Sequence, residues 1–274
     1  MTPTRSVIQI DELDEETRTD LWNSLFVSLS EFTKRQASNE GVRHLTSEIW
    51  ANDLKRARDE EPNSDKVWIY VKMMVTGGEW YEALDIVEAF VGHVAAATTW
   101  QANDLQEATT NSFNKVFDKH LVGYRFVGTA LTPMDTKVAV EAIEKALEVS
   151  QEHGGVSHHL QRSVELLSSR TNPDYPNSIK ESISAVESLL KKLTSADSVA
   201  KGLKQLEQLG IEAHPALLSA WTKMYGWTSD ADGIRHGGLE SAKADQALAK
   251  YMLIICSGFV SYLSEQSRIL GLNK

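Results

Sequence analysis

The chain has 274 residues, 42% of them hydrophobic and 24% charged, with a formal net charge of −10. This is the composition of a soluble globular protein, long enough to bury a sizeable core in one large domain or two modest ones. The acidic balance argues against indiscriminate binding to nucleic acid. The single cysteine, Cys256, excludes an internal disulfide and a thiolate zinc cluster and fits a reducing compartment.

The charge is uneven. Residues 1–152 hold 15 Lys and Arg against 26 Asp and Glu, and residues 153–274 hold 13 against 12. A phosphate-bearing ligand is therefore repelled less by the second half. The N-terminal "MTPTRSVIQIDELDEETRTDLW" has no apolar core of the signal-peptide kind. The longest apolar run, "YMLIICSGFVSYL", is shorter than the roughly 18 residues of a membrane span. These features predict a cytoplasmic protein with no membrane partner, and Cys256 reads as a small buried hydrophobe.

In chain order, "DELDEETRTDLWNSLFVSLSEF" reads as a helix, with Leu21, Trp22, Leu25, Phe26 and Leu29 at helical spacing and acidic residues at the positive end of its dipole. "TSEIWANDLKRA" predicts a second helix and "EEPNSD" a loop. The stretch from Lys66 to Ala97 reads as two helices with a turn at Gly77-Gly78. Residues Val116, Leu121, Tyr124, Phe126 and Val127 are β-formers, so a β-hairpin is expected near 113–131, turning at Val122-Gly123, with a third short strand as an option. "TKVAVEAIEKALEVSQ" returns to a helix, and "EHGG" at 152–155 is the linker candidate.

From 156 onward every pattern is helical. "SHHLQRSVELLSSR" and "NSIKESISAVESLLKKLT" flank a break at "TNPDYP"; the second has apolar positions at Ile179, Ile183, Val186, Leu189 and Leu190. "SVAKGLKQLEQL" follows, then a helix opened by Pro215, and a last helix from about Leu239 to Ile269. The boundaries expected are 1–152 for an N-terminal helical module with the hairpin and 153–274 for an all-α domain.

No GxGxxG, P-loop or GxSxG motif is present, and no cofactor or metal is expected. His158 and His159 are adjacent, so on a helix they point about 100° apart. That is poor for sharing a metal, and surface or core packing is the reading. Asn177, Glu181 and Ser184 fall at i, i+4 and i+7 and form one polar stripe, flanked by Lys180 and Glu187. The stripe is either a solvated face or a surface turned toward "SDADGIRHGG" at 229–238.

In that stretch Ser229 and Asp232 have capping-box spacing and would cap a short helical turn holding Gly233 to His236, ended by Gly237-Gly238. Arg235 and His236 would then lie near helix termini, where backbone N–H groups and a guanidinium can hold a phosphate. In this reading Glu181 orients one of them, and Asn177, Lys180, Ser184, Asp230 and Asp232 surround the ligand. In the alternative, Arg235 pairs with Asp230, Asp232 or Glu181, His236 donates to a backbone carbonyl, and the cluster holds a corner together.

"NPDYPNSIKESISAVESL", "MYGWTSDADGIRHGG" and "YMLIICSGFVSYL" together resemble the AbiJ-type family of bacterial abortive-infection proteins, and "LDEETRTDLWNSLF" and "LVGYRFVGTALTPM" resemble one of that family's N-terminal modules. The resemblance implies a mainly α fold: an N-terminal helical module with one β-hairpin, then an all-α HEPN-like helical bundle. It also implies two functions of different class. One is a metal-independent endoribonuclease of antiviral defence, acting on RNA as a homodimer paired through its C-terminal half, with Arg235, His236 and Glu181 as its catalytic set. The other is a non-catalytic HEPN-like module for dimerisation or for binding a partner or nucleotide. The usual HEPN signature is an arginine, a polar neighbour and a histidine some four to six residues on. Arg235 and His236 match the first two, and "GGLESAKAD" after them contains no histidine.

Overall fold

The computed structural model describes residues 8–36, 38–97, 102–169, 172–229 and 244–272. The chain forms two compact units, Met1–Leu131 and Thr132–Lys274. Among the described residues the secondary structure is eleven α-helices and one two-stranded hairpin, the mainly α fold that the sequence predicts.

In the first unit α1 (Glu15–Arg35) starts where Asp14 accepts from the Thr17 N–H, with Glu15 and Glu16 in its first turn and Lys34 and Arg35 in its last. Both charge pairs complement the helix dipole. Leu21, Leu25, Leu29 and Phe32 are buried, whereas Phe26, which shares the apolar spacing, is 58% exposed. α2 (Asn39–Glu48) runs into a π-helical turn, Ile49–Asp53. α3 (Ser64–Gly77) buries Val67, Val71 and Val75, one residue per turn. It stops at Gly78, where a Cβ would lie 2.7 Å from the Met74 carbonyl oxygen. α4 (Trp80–Ala96) follows, its start held by the Glu82 carboxylate accepting from the Glu79 N–H. α1 packs against α3, α4 and α5 (Ala102–Lys119).

The strands are β1 (Arg125–Val127) and β2 (Ala130–Thr132). This corrects two details of the hairpin expected at 113–131. Residues up to Lys119 belong to α5, because Phe113, Val116 and Phe117 are buried at helical rather than alternating spacing. The turn falls at Gly128, whose φ of 60° suits glycine, and not at Val122-Gly123. Those two residues instead meet an extended segment before α1. Gln9 and Val122 form an isolated parallel bridge, and Gly123 N–H donates to the Gln9 carbonyl at 2.7 Å. The buried Gln9 side chain donates to the Thr17 hydroxyl and the His120 carbonyl.

The second unit is built on α6 (Lys137–Val149), α7 (Gly154–Ser168), α8 (Tyr175–Thr194) and α11 (Gln246–Ile269). Contacts run from α6 to α7, α7 to α8, α8 to α11 and α11 back to α6, which closes a four-helix core. α6 buries Ala139, Val140, Ile143 and Ala146, so it belongs to this unit by packing, and the unit begins ahead of the boundary read at 152/153. "EHGG" is not a linker. His153 is the N-cap of α7, and Gly154 and Gly155 are its first residues. α9 (Val199–Gln205) packs on α8, and α10 (Pro215–Ser229) on α9.

α11 begins at Gln246, capped by Asp245; the part of the expected helix from Leu239 to Lys243 lies outside the described residues. By length and composition α11 alone among the described helices could cross a membrane, but half of its apolar window is buried within the protein. Met252, Leu253, Cys256, Val260 and Leu263 make its core face. Phe259 stacks on Trp221 of α10 at 4.0 Å between ring centroids. Cys256 is fully buried, and burial pushes its thiol well above the ordinary range.

In the first unit the Asp20 carboxylate ties α1 to the end of α5. It accepts from Lys119 Nζ at 2.7 Å and from His120 Nε2 at 2.8 Å. Lys119 foremost, then His120, holds its pKa below the usual 3.8, against a smaller opposing push from burial. A carboxylate with a depressed folded-state pKa stabilises the fold above its unfolded value and loses that contribution as pH falls through the folded one. The expected outcome is that Asp20→Asn melts below the wild type at pH 7 and that the difference closes as the pH is taken below about 3.8, read by thermal melts across that range. A gap that stays constant down to the acid end would contradict the assignment.

Candidate functional site

The polar residues singled out on α8 lie along its seam with α7, and the seam is what arranges them. Asp174 starts α8 by accepting from the Asn177 backbone N–H at 3.1 Å and from the Asn177 side-chain amide at 2.7 Å, with Pro176 in the first turn. The Asp174 N–H donates to the Leu166 carbonyl near the end of α7. This bond sets the antiparallel register. His159 precedes Leu166 by as many residues as Glu181 follows Asp174, so the two side chains come level.

At the middle of the seam the side chains are small and hydroxylated. Ser163, Ser178 and Ser182 are all fully buried. Ser163 Oγ lies 2.7 Å from Ser182 Oγ and 3.1 Å from Ser178 Oγ, and it also bonds the Ser178 carbonyl. Ser178 Oγ donates back to the Ser163 carbonyl at 3.0 Å. Every buried hydroxyl in this cluster is satisfied, which removes the cost of leaving a polar atom dry. At one end Gly155 faces Ser188, with a Cβ on Gly155 falling 2.8 Å from Ser188 Oγ.

Two ionisable pairs bracket the glycine, and the hydroxyl cluster lies beyond the His159–Glu181 pair, toward the Leu166–Asp174 end of the seam. His159 Nδ1 lies 2.6 Å from Glu181 Oε2, with the side chains 32% and 18% exposed. His153 Nδ1 lies 2.6 Å from Lys192 Nζ. An ionised carboxylate only accepts, so Nδ1 of His159 donates to Glu181 and its Nε2 carries the lone pair of the neutral ring. An ammonium only donates, so Nδ1 of His153 accepts. The two histidines are therefore fixed in opposite tautomers. Among the described residues Nε2 of His159 has no hydrogen-bond partner. A carboxylate-oriented imidazole with one free nitrogen can take up or deliver a proton near neutral pH.

Of the residues read as candidates, Glu181 has His159 as its described partner. Asn177 is exposed and held by Asp174. Ser184 is half-buried one turn beyond Glu181, and Lys180, also half-buried, makes no hydrogen bond or ion pair among the described residues. Arg235, His236, Asp230 and Asp232 lie outside the described residues. Ser229 is the last residue of α10, and the turn it was read as capping lies outside them too. The sequence reading set aside His158-His159 as packing. His158 is exposed, its ring 5.8 Å from that of His159, but His159 is an ion-pair partner that the reading missed. The antiparallel count from the break at "TNPDYP" was the signal that could have found it. A groove of about 900 Å³ lies between α9 and α10 and is lined by Lys204, Glu207, His214 and Leu218; it includes no residue of the seam.

The fold is thus that of a two-unit helical protein in which one short hairpin follows an N-terminal helical module. The family model described as AbiJ N-terminal domain 4 matches residues 1–149, which is more than half of the chain. The chain belongs to this family of abortive-infection, antiviral-defence proteins. The match ends at the last residue of α6. No curated protein and no solved structure matches the chain.

The seam yields a direct test of close packing. Gly155→Ala alone is expected to leave stability unchanged or lower it, because the new methyl meets Ser188 Oγ. In a Ser188→Ala background the same change should raise stability by about 0.5–1 kcal/mol, the ordinary gain of alanine over glycine in a helix. Chemical denaturation of the four proteins of this cycle measures the coupling. Additivity of the two changes would rule out the contact.

Proposed function

We propose that the second unit is a HEPN-like bundle and that the protein is a metal-independent endoribonuclease effector of abortive infection, acting in the cytoplasm as a homodimer. The observation that carries this reading is the Glu181–His159 pair at 2.6 Å in a helical unit joined to an abortive-infection domain. RNA can attack its own backbone through the 2′-hydroxyl, so the protein has only to move protons and stabilise charge on the phosphorane. In this reading Arg235 supplies the cation, His236 protonates the leaving 5′-oxygen, and Glu181, Asn177, Lys180, Ser184, Asp230 and Asp232 surround them. The near-neutral balance of residues 153–274 favours a phosphate ligand more than the acidic first half does.

A second reading, a non-catalytic HEPN-like module for dimerisation or partner binding, is favoured by a different observation. α10 leaves Leu217 45% and Trp227 40% exposed, and α11 leaves Tyr251 56% exposed. Exposed large apolar side chains of this kind suit a protein partner or a second copy. Leu253 and Phe259, on the same helix, are buried within the chain.

Two measurements separate the readings. The purified protein should cleave RNA in EDTA, and Arg235→Ala and His236→Ala should each lose about a hundredfold or more in rate. Cleavage that persists in both variants would place the chemistry elsewhere, and no cleavage by the wild type would favour the non-catalytic module. Light scattering at tens of micromolar should give the mass of a dimer; a monomer mass would remove the pairing from both readings.

A further inference from the structure

We propose that His159 is a catalytic residue of the second unit, the base that takes the proton of the attacking 2′-hydroxyl. The inference rests on the ribonuclease reading and completes it. Transesterification of RNA requires two proton movements, one from the 2′-oxygen and one to the 5′-oxygen, and "GIRHGG" offers a single histidine. A second imidazole must come from the second copy of the dimer or from another part of the fold, or the reaction must do without one.

The seam between α7 and α8 holds the described histidine with the features this task needs. Its ring is neither sealed nor free to swing. The side chain is 32% exposed, and Nδ1 is pinned to Glu181 at 2.6 Å. Glu181 accepts the Nδ1 proton, so the lone pair stands on Nε2, where no described group competes for it. The other histidines are less suited. His153 spends Nδ1 accepting from Lys192 and is 7% exposed. His44, His93 and His120 lie in the first unit, the last two paired with Asp53 and Asp20 through Nε2, and His158 has no carboxylate among the described residues to orient its ring. His214 uses Nδ1 to accept from the Ala216 N–H at the start of α10. Beside His159 the two helices carry two cationic residues: Arg162 one turn along α7, and Lys180 next to Glu181 on α8. Arg162 is half-committed to Glu165 at an exposed position, and Lys180 has no described partner.

The step balances without any co-reactant. Nε2 of neutral His159 takes the 2′-hydroxyl proton as the O2′–P bond forms, and the imidazolium is held by the Glu181 carboxylate. The P–O5′ bond breaks as O5′ gains a proton from the acid that the ribonuclease reading assigns to His236. The products are a 2′,3′-cyclic phosphate and a 5′-hydroxyl. His159 then returns its proton to water. Glu181 is on this account a positioning residue for His159.

The test uses the full-length protein and a short RNA in EDTA. His159→Asn keeps an N–H directed at Glu181 and removes Nε2; His159→Ala opens the position to imidazole added in solution. Both are expected to retain the wild-type melting temperature within a few degrees and to cleave at least about a hundredfold more slowly, and added imidazole should restore part of the His159→Ala rate. A substrate whose 5′-bridging oxygen is replaced by sulfur needs no acid to expel its leaving group. It should rescue His236→Ala and fail to rescue His159→Asn. If Arg235→Ala is inactive while His159→Asn cleaves within twofold of the wild type, the ribonuclease reading stands and the role of His159 is overturned. Rescue of His159→Asn by the sulfur substrate would overturn its assignment as the base. A wild type that cleaves nothing would overturn both. Should His159→Asn melt early, the imidazole response of His159→Ala decides, and a rate that imidazole leaves unchanged counts against the proposal.

Discussion

The close approach of α7 and α8 is the constraint on which the second unit depends. Two helices can come this near only where side chains are small, and this seam has Gly155, Ser163, Ser178 and Ser182 along it. Serine at such positions brings a hydroxyl into a dry place, which is tolerable only if the hydroxyl finds a partner. Here the serines find one another and the opposing backbone. The result is directional as well as tight. An apolar seam could slide by a turn at little cost, whereas a set of hydrogen bonds has one register in which all are made. That register brings His159 level with Glu181 and His153 level with Lys192. The same helix that carries these groups buries Ile179, Ile183, Val186, Leu189 and Leu190 on its other sides, so the polar edge is anchored by a large apolar commitment.

The first unit reaches order differently. Its helices pack through apolar stripes, but its ends are joined by polar ties between residues far apart in sequence. Gln9 donates to the carbonyl of His120, and the Asp20 carboxylate accepts hydrogen bonds from both Lys119 and His120. Contacts that close so long a loop are costly in chain entropy and can form only once the intervening helices have docked. They therefore report on completed folding of the unit, and their loss is expected to loosen the N-terminal segment before the helices themselves.

Much of this fold was legible in the sequence because long helices announce themselves. The spacing of Leu21, Leu25 and Leu29, the stop at Gly77-Gly78, the start at Pro215 and the apolar face of α8 were all read correctly, since each rests on local geometry. The misses share a physical cause. α5 was not seen before Phe113 because Thr109 and Thr110 are buried where apolar residues would mark the period. The β-forming side chain at Val116 misled because tertiary packing outranks intrinsic preference. "EHGG" looked like a linker because glycines at a helix start and glycines in a hinge are the same letters; only the facing Ser188 tells them apart. The partner of Glu181 was hidden for a similar reason. Two adjacent histidines invited a question about metals, and the register of a helical hairpin, which decides the pairing, is a property of two segments at once.

Cys256 is the only thiol in the chain, and it sits fully covered on the core face of α11. No second thiol competes with a cysteine introduced at the surface. A cysteine placed on any outward position of α7, α10 or the first unit would be the sole site open to a maleimide dye, a spin label or a bifunctional cross-linker. Distances between the two units, and between copies if the chain pairs, can be measured on otherwise native protein without first removing a residue from its core.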